Sequence, residues 1–126
     1  MRKKFTKKPA KTAFQLKQEK LKNELIKFAK QYENQPFYKE LNLILNSNQT
    51  KEELFAARDF FIKKPELAFK LSQIKGIEKH QFFSNLIILI GLNFLQAMQP
   101  MASINSFNAA KRIIDSYYNT YKKKLK

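Results

Sequence analysis

Between Phe82 and Met98 the chain reads FFSNLIILIGLNFLQAM. The stretch falls short of the roughly 20 consecutive apolar residues that span a bilayer, and Ser84, Asn85, Asn93 and Gln96 interrupt it. It therefore reads as a long helix buried on most sides, the central element of a helical bundle. Gly91 within it is expected to let a neighbouring helix come close, although a helix also tolerates such a glycine with no special purpose at about 1 kcal/mol relative to alanine.

On either side of this stretch the same architecture continues. The chain holds only two glycines and four prolines, and no segment alternates apolar and polar residues long enough to make a half-buried strand. The fold class is all-α, a single-domain bundle of five to six helices. Two starts carry the capping-box spacing, Thr12 with Gln15 and Thr50 with Glu53, in which a hydroxyl accepts from an orphan amide and the later side chain returns the bond. Turn formers break the pattern at Asn34–Pro36, Asn46–Gln49, Lys64–Pro65, Gly76 and Gln99–Pro100,. The resulting helical segments are about 12–33, 36–46, 50–63, 65–75, 79–98 and 103–123.

The first and last segments are amphipathic. Phe14, Leu21, Leu25, Phe28 and Tyr32 fall in one arc of a 3.6-residue helix, with Lys20, Lys27 and Lys30 on the reverse,. In the last segment Phe107, Ala110, Ile114, Tyr117 and Tyr121 form the stripe, Lys111, Arg112, Asp115, Asn119 and Lys122 lie opposite, and Tyr118 sits at the rim,.

Charge is the other strong signal. The 126 residues carry 25 Lys and Arg against 10 Asp and Glu, a formal charge of +15. Only Arg2, Arg58 and Arg112 are arginines, while Lys, Asn, Ile, Phe and Tyr abound, the imprint an AT-rich coding sequence leaves regardless of function. Placement is more informative than the total. Arg2, Lys3, Lys4, Lys7, Lys8 and Lys11 precede the first acid, Glu19, and Lys122, Lys123, Lys124 and Lys126 close the chain. Without these two clusters 15 cations face 10 acids, an ordinary excess,. Residues 1–11 are read as a basic flexible tail and 12–126 as the helical domain. The absence of cysteine and of a continuous apolar run after the basic start points to a cytoplasmic protein without disulfides or a secretion signal,.

Inventory argues against an enzyme. His80 is the sole histidine, there is no cysteine, and the only aspartates are Asp59 and Asp115, which leaves no triad, thiol nucleophile or multi-histidine metal site. Two glycines cannot build a phosphate loop, and Glu52 beside Glu53 near a helix start is what the helix dipole favours. No cofactor and no metal are expected.

The segment LSQIKGIEKHQF, Leu71–Phe82, partly resembles the helix-hairpin-helix motif, with Leu71, Ile74, Gly76 and Ile77 at its first helix, turn glycine and buried aliphatic. The resemblance would make Lys75, Lys79 and His80 phosphate contacts. Glu78 stands at the motif's second glycine, however, and Phe82 at a small residue. The preferred reading makes Gly76 a left-handed helix cap, with Ile77 folding back on Leu71.

The basic ends are the stronger indication of a partner. Lysine-rich segments follow a phosphate backbone, displace its counterions and bind without sequence preference. The expectation is a non-enzymatic protein contacting DNA or RNA through these ends together with Lys20, Lys27, Lys30, Lys111 and Arg112. Tyr118 is the tyrosine placed to stack on an unpaired base. By analogy of size and charge alone, small helical subunits of CRISPR effectors and accessory proteins of plasmids and phages have this character. Two other readings stand beside it. One is an adaptor for an acidic protein, with Phe55, Phe60, Phe61 and Phe69 lining an exposed apolar groove. The other is a peripheral binder of anionic membranes without integral association.

Overall fold

Thr12 opens the first helix as its spacing to Gln15 requires. The Gln15 amide donates to Thr12 Oγ1 at 3.1 Å and the Thr12 amide to Gln15 Oε1 at 2.9 Å. Thr50 and Glu53 repeat the exchange at 3.1 and 3.0 Å. The computed structural model describes residues 12–46 and 49–124. It contains six α-helices and, among the described residues, no strand: α1 Ala13–Lys30, α2 Tyr38–Leu45, α3 Lys51–Ile62, α4 Pro65–Ser72, α5 Gln81–Met98 and α6 Phe107–Lys124. A single 3₁₀ turn, Ile77–Lys79, precedes α5. The proposed tail, residues 1–11, lies outside the described residues.

Several helix boundaries differ from the sequence expectation by a few residues, and around α4 and α6 the reason is local. α4 stops at Ser72, whose hydroxyl donates to the Phe69 carbonyl at 2.7 Å and competes with the helix ladder,. Gly76 is left-handed as expected, at φ 87°, ψ −4°. It lies beyond the end of α4, in a turn closed by the Ile77 amide donating to the Ile74 carbonyl at 3.2 Å, so it reverses the chain rather than capping the helix. Ile77 is fully buried. α6 begins at Phe107, because Ser106 caps it by accepting the Ala109 amide at 3.1 Å,.

The core assembles on α5. Phe82, Phe83, Leu86, Ile87, Ile90, Gly91 and Phe94 are buried and span about half the helix circumference at 100° per residue. This half packs against α6 and α3, and α4 closes on α6. Gly91 makes the expected close approach: a Cβ there would lie 2.8 Å from Ala110 Cβ and 2.9 Å from Ala110 Cα. Above that crossing the Phe94 and Tyr117 rings stack at 4.0 Å and 4°. A run of ring contacts, Phe28–Tyr32–Phe37–Phe60–Phe61, ties α1 to α3 through the α1–α2 connection.

The outer half of α5 differs from the expectation of burial on most sides. Ile88, Leu89, Leu92 and Leu95 remain partly exposed, because no helix among the described residues covers that side. By length and composition α5 is the one helix among the described residues apolar enough to cross a membrane, with a mean hydropathy of 1.4.

His80 supplies the N-cap of α5. Its Nδ1 accepts the Phe83 amide at 3.5 Å, and its ring lies 4.7 Å from that of Phe83. Burial holds the imidazole below its ordinary pKa, so the neutral, accepting form is favoured in the fold. The unfolded chain therefore takes up the proton first as pH falls. The cap's contribution is complete above about pH 6.5 and is lost as the pH drops below that value. Urea unfolding at pH 7.5 and 5.5 is expected to give a lower midpoint at the acid pH. His80→Asn, which keeps an accepting cap without a titrating group, is expected to remove the part of that difference due to residue 80. An unchanged difference in the variant would show that His80 is not its source.

Candidate nucleic-acid interface

Three helices end on cations. The last turns carry Lys27 and Lys30 in α1, Lys70 in α4, and Lys122, Lys123 and Lys124 in α6, and none of these turns contains an acid. Cations at a helix C-terminus are stabilised by the partial negative charge of its orphan carbonyls, which offsets part of their mutual repulsion.

α4 brings the ends of α1 and α6 together. The Tyr32 hydroxyl, just past α1, donates to Glu66 Oε2 at 3.4 Å, and Lys70 Nζ lies 3.6 Å from the same carboxylate and 5.5 Å from the Tyr32 ring centre. From α6, Tyr118 stacks on Phe69 of α4 at 4.7 Å, and Lys122 Nζ sits 5.1 Å from the Tyr118 ring centre. Burial raises the hydroxyl pKa of both Tyr32 and Tyr118. A hydrogen bond to Tyr32 raises that of Lys70. At neutral pH the tyrosines are thus uncharged and Lys70 is a cation, and Glu66 offsets only one of the positive charges gathered there.

The anticipated contact residues separate into groups. Lys20, Lys27 and Lys30 are exposed on the outer face of α1, as expected, and Lys27 pairs with Glu24 at 3.6 Å. Lys122, Lys123 and Lys124 are exposed at the end of α6. Lys111 and Arg112 sit near the start of α6, about 15 Å along the axis from Lys122 at 1.5 Å per residue. Lys111 is partly buried and close enough to Asp115 to oppose the upward push that burial gives that carboxyl. Gln73 Nε2 also donates to Asp115 Oδ1 at 3.0 Å. Arg2, Lys3, Lys4, Lys7, Lys8, Lys11 and Lys126 lie outside the described residues.

Tyr118 is not at the rim of α6. It is 9% exposed with its ring against Phe69, whereas Tyr121 is 37% exposed. The assignment shifts because α6 is wedged between two neighbours, Tyr117 facing α5 and Tyr118 facing α4, which widens its buried arc beyond one stripe. The phenylalanines anticipated to line a groove are also placed differently. Phe60 and Phe61 are core residues, Phe69 lies under Tyr118, and only Phe55 is exposed, beneath the Arg58 guanidinium at 5.0 Å.

The helix-hairpin-helix resemblance is not carried into the geometry of its second helix. A 3₁₀ turn and the His80 cap occupy the segment after Gly76, and Ile77 and Phe82 point into the core. Lys75 and Lys79 are exposed there beside the carboxylate of Glu78. Against known proteins the chain matches no protein family, no curated protein and no solved structure.

Proposed function

We propose that this is a non-enzymatic nucleic-acid-binding protein that grips the phosphate backbone largely without sequence preference. Its contacts are the basic N-terminal segment and the lysines ending α1 and α6. The observation that carries the reading is the placement of Lys122, Lys123 and Lys124, exposed on the final turn of α6, with Lys122 over the Tyr118 ring and Lys70 of α4 near the same tyrosine. Helix ends bearing several exposed ammonium groups suit phosphates, which accept from them at many angles and require no fixed register.

Fluorescence anisotropy with a labelled oligonucleotide of arbitrary sequence tests this. Binding is expected at low salt and is expected to weaken linearly in log affinity against log salt. Replacing Lys122, Lys123 and Lys124 together with glutamine is expected to reduce the slope by about 2 to 3 on duplex DNA, near 0.9 per lost phosphate contact. The melting temperature is expected to stay nearly unchanged, because exposed helix-end charges contribute little to stability. A wild-type protein that ignores both DNA and RNA at about 50 mM salt would remove this reading.

A further inference from the structure

From Gln81 to Ala110 no residue carries a charge, in a chain whose formal charge is +15. That neutral segment includes all of α5 and the turn that follows it. On a helix advancing 100° per residue, the buried half of α5 leaves Ser84, Asn85, Ile88, Leu89, Leu92, Leu95 and Gln96 on the opposite arc, and each of them is partly or fully exposed. Of the four aliphatics only Ile88 packs against the core cluster. The apolar strip continues past the helix end through Met98, 53% exposed, and Met101, 97% exposed.

We propose that this outer face of α5 is a self-association surface, through which two copies pair antiparallel about a two-fold axis passing near Leu92. The absence of charge selects the occupant. An acidic protein or an anionic bilayer would be held by lysines around the apolar strip, and on α5 itself the strip is flanked by amides and a hydroxyl,. Two copies of a strongly cationic chain can approach only where neither presents a cation, and the α5 face is such a place. The polar groups on it are also compatible with pairing. Asn85 and Gln96 each carry a donor and an acceptor, so each can bond to an amide or carbonyl group of the other copy, which a lysine cannot. An axis at Leu92 sets that residue against its own copy and Leu89 opposite Leu95, filling the centre with aliphatic contact. The strip is about 27 Å long and 10 Å wide. That footprint of about 270 Å² is well below the roughly 800 Å² per partner of a standard interface, so the dimer is weak, with a dissociation constant of about 100 µM or above.

Sedimentation equilibrium of the full chain from about 5 to 500 µM tests the proposal. The expected result is a reversible monomer–dimer equilibrium that strengthens with added salt, as screening relieves repulsion between the cationic bodies. Oligonucleotide binding has the opposite salt dependence, so the two can fail separately. Leu92→Glu and Leu92→Lys are each expected to weaken pairing more than tenfold, and an equimolar mixture of the two is expected to restore it. Leu92→Gln makes the same test without a charge if either variant does not fold. A wild-type chain that stays monomeric at the highest concentration overturns the proposal, as does a dimer that all three substitutions leave intact. Flotation of the wild type with neutral phosphatidylcholine vesicles, lost in the Leu92 variants, would assign the face to lipid and overturn it too.

Discussion

Gly91→Ala is expected to lower the urea midpoint of unfolding, although alanine is the better helix former by about 1 kcal/mol. The added methyl would sit 2.8 Å from Ala110 Cβ, 2.9 Å from its Cα and 3.0 Å from its carbonyl oxygen. Carbon atoms rest at about 3.5 to 4.0 Å. Two of the three obstructing atoms belong to the backbone of α6, so no rotamer change relieves the clash and the helices must separate. Overpacking of this kind costs about 1 to 3 kcal/mol. The upper part of that range outweighs the gain in propensity, leaving a net loss of about 1 to 2 kcal/mol. The slope of the transition is expected to hold while its midpoint falls. Ala110→Gly in the same chain removes the Cβ contact but not the other two, so it restores part of the loss, a coupling that a double-mutant cycle reads directly. Gly91→Leu is expected to prevent cooperative folding. A Gly91→Ala protein as stable as the wild type would show that α5 and α6 do not meet this closely.

Removing residues 1–11 is expected to produce the greater change in nucleic-acid binding. The deleted segment holds Arg2, Lys3, Lys4, Lys7, Lys8 and Lys11. If each neutralises one phosphate, the log–log salt slope on duplex DNA falls by about 5. Between about 50 and 200 mM salt the full chain would then lose roughly a thousandfold more affinity than the shortened one. Because the first described helix is capped by Thr12 itself, thermal unfolding is expected to be little altered. Parallel salt plots for the two proteins would exclude the segment from the contact, whatever their absolute affinities.

The fold was legible where side-chain chemistry acts over three or four residues. Thr12 with Gln15 and Thr50 with Glu53 announce helix starts because the exchange is local, and both occur with the spacing the sequence indicates. The apolar density of α5 marks it as the element around which the rest packs, and Gly91 stands where α6 crosses. His80 and Ser106 were less visible as caps, since neither is followed by the glutamate or glutamine that completes a box. The orientation of Tyr118 was hidden for another reason. A single-stripe reading assumes one neighbour per helix, and α6 has two. The outer face of α5 was misjudged on similar grounds, because apolar composition on all sides does not state how many helices are present to cover it. For the candidate interface, the exposed lysines of α1 and α6 could be placed on their helices from periodicity. The cluster of Tyr32, Glu66 and Lys70 arises from contacts between the end of α1 and α4, distant in sequence.

The face-to-face rings of Phe94 and Tyr117 also give the molecule an optical handle. The chain has no tryptophan and five tyrosines, so its near-ultraviolet circular dichroism comes chiefly from phenols held in asymmetric surroundings. Such bands disappear when side-chain packing loosens while helical content persists. A spectrum recorded without any label can therefore distinguish seated α5 and α6 from helices that have formed but slipped apart.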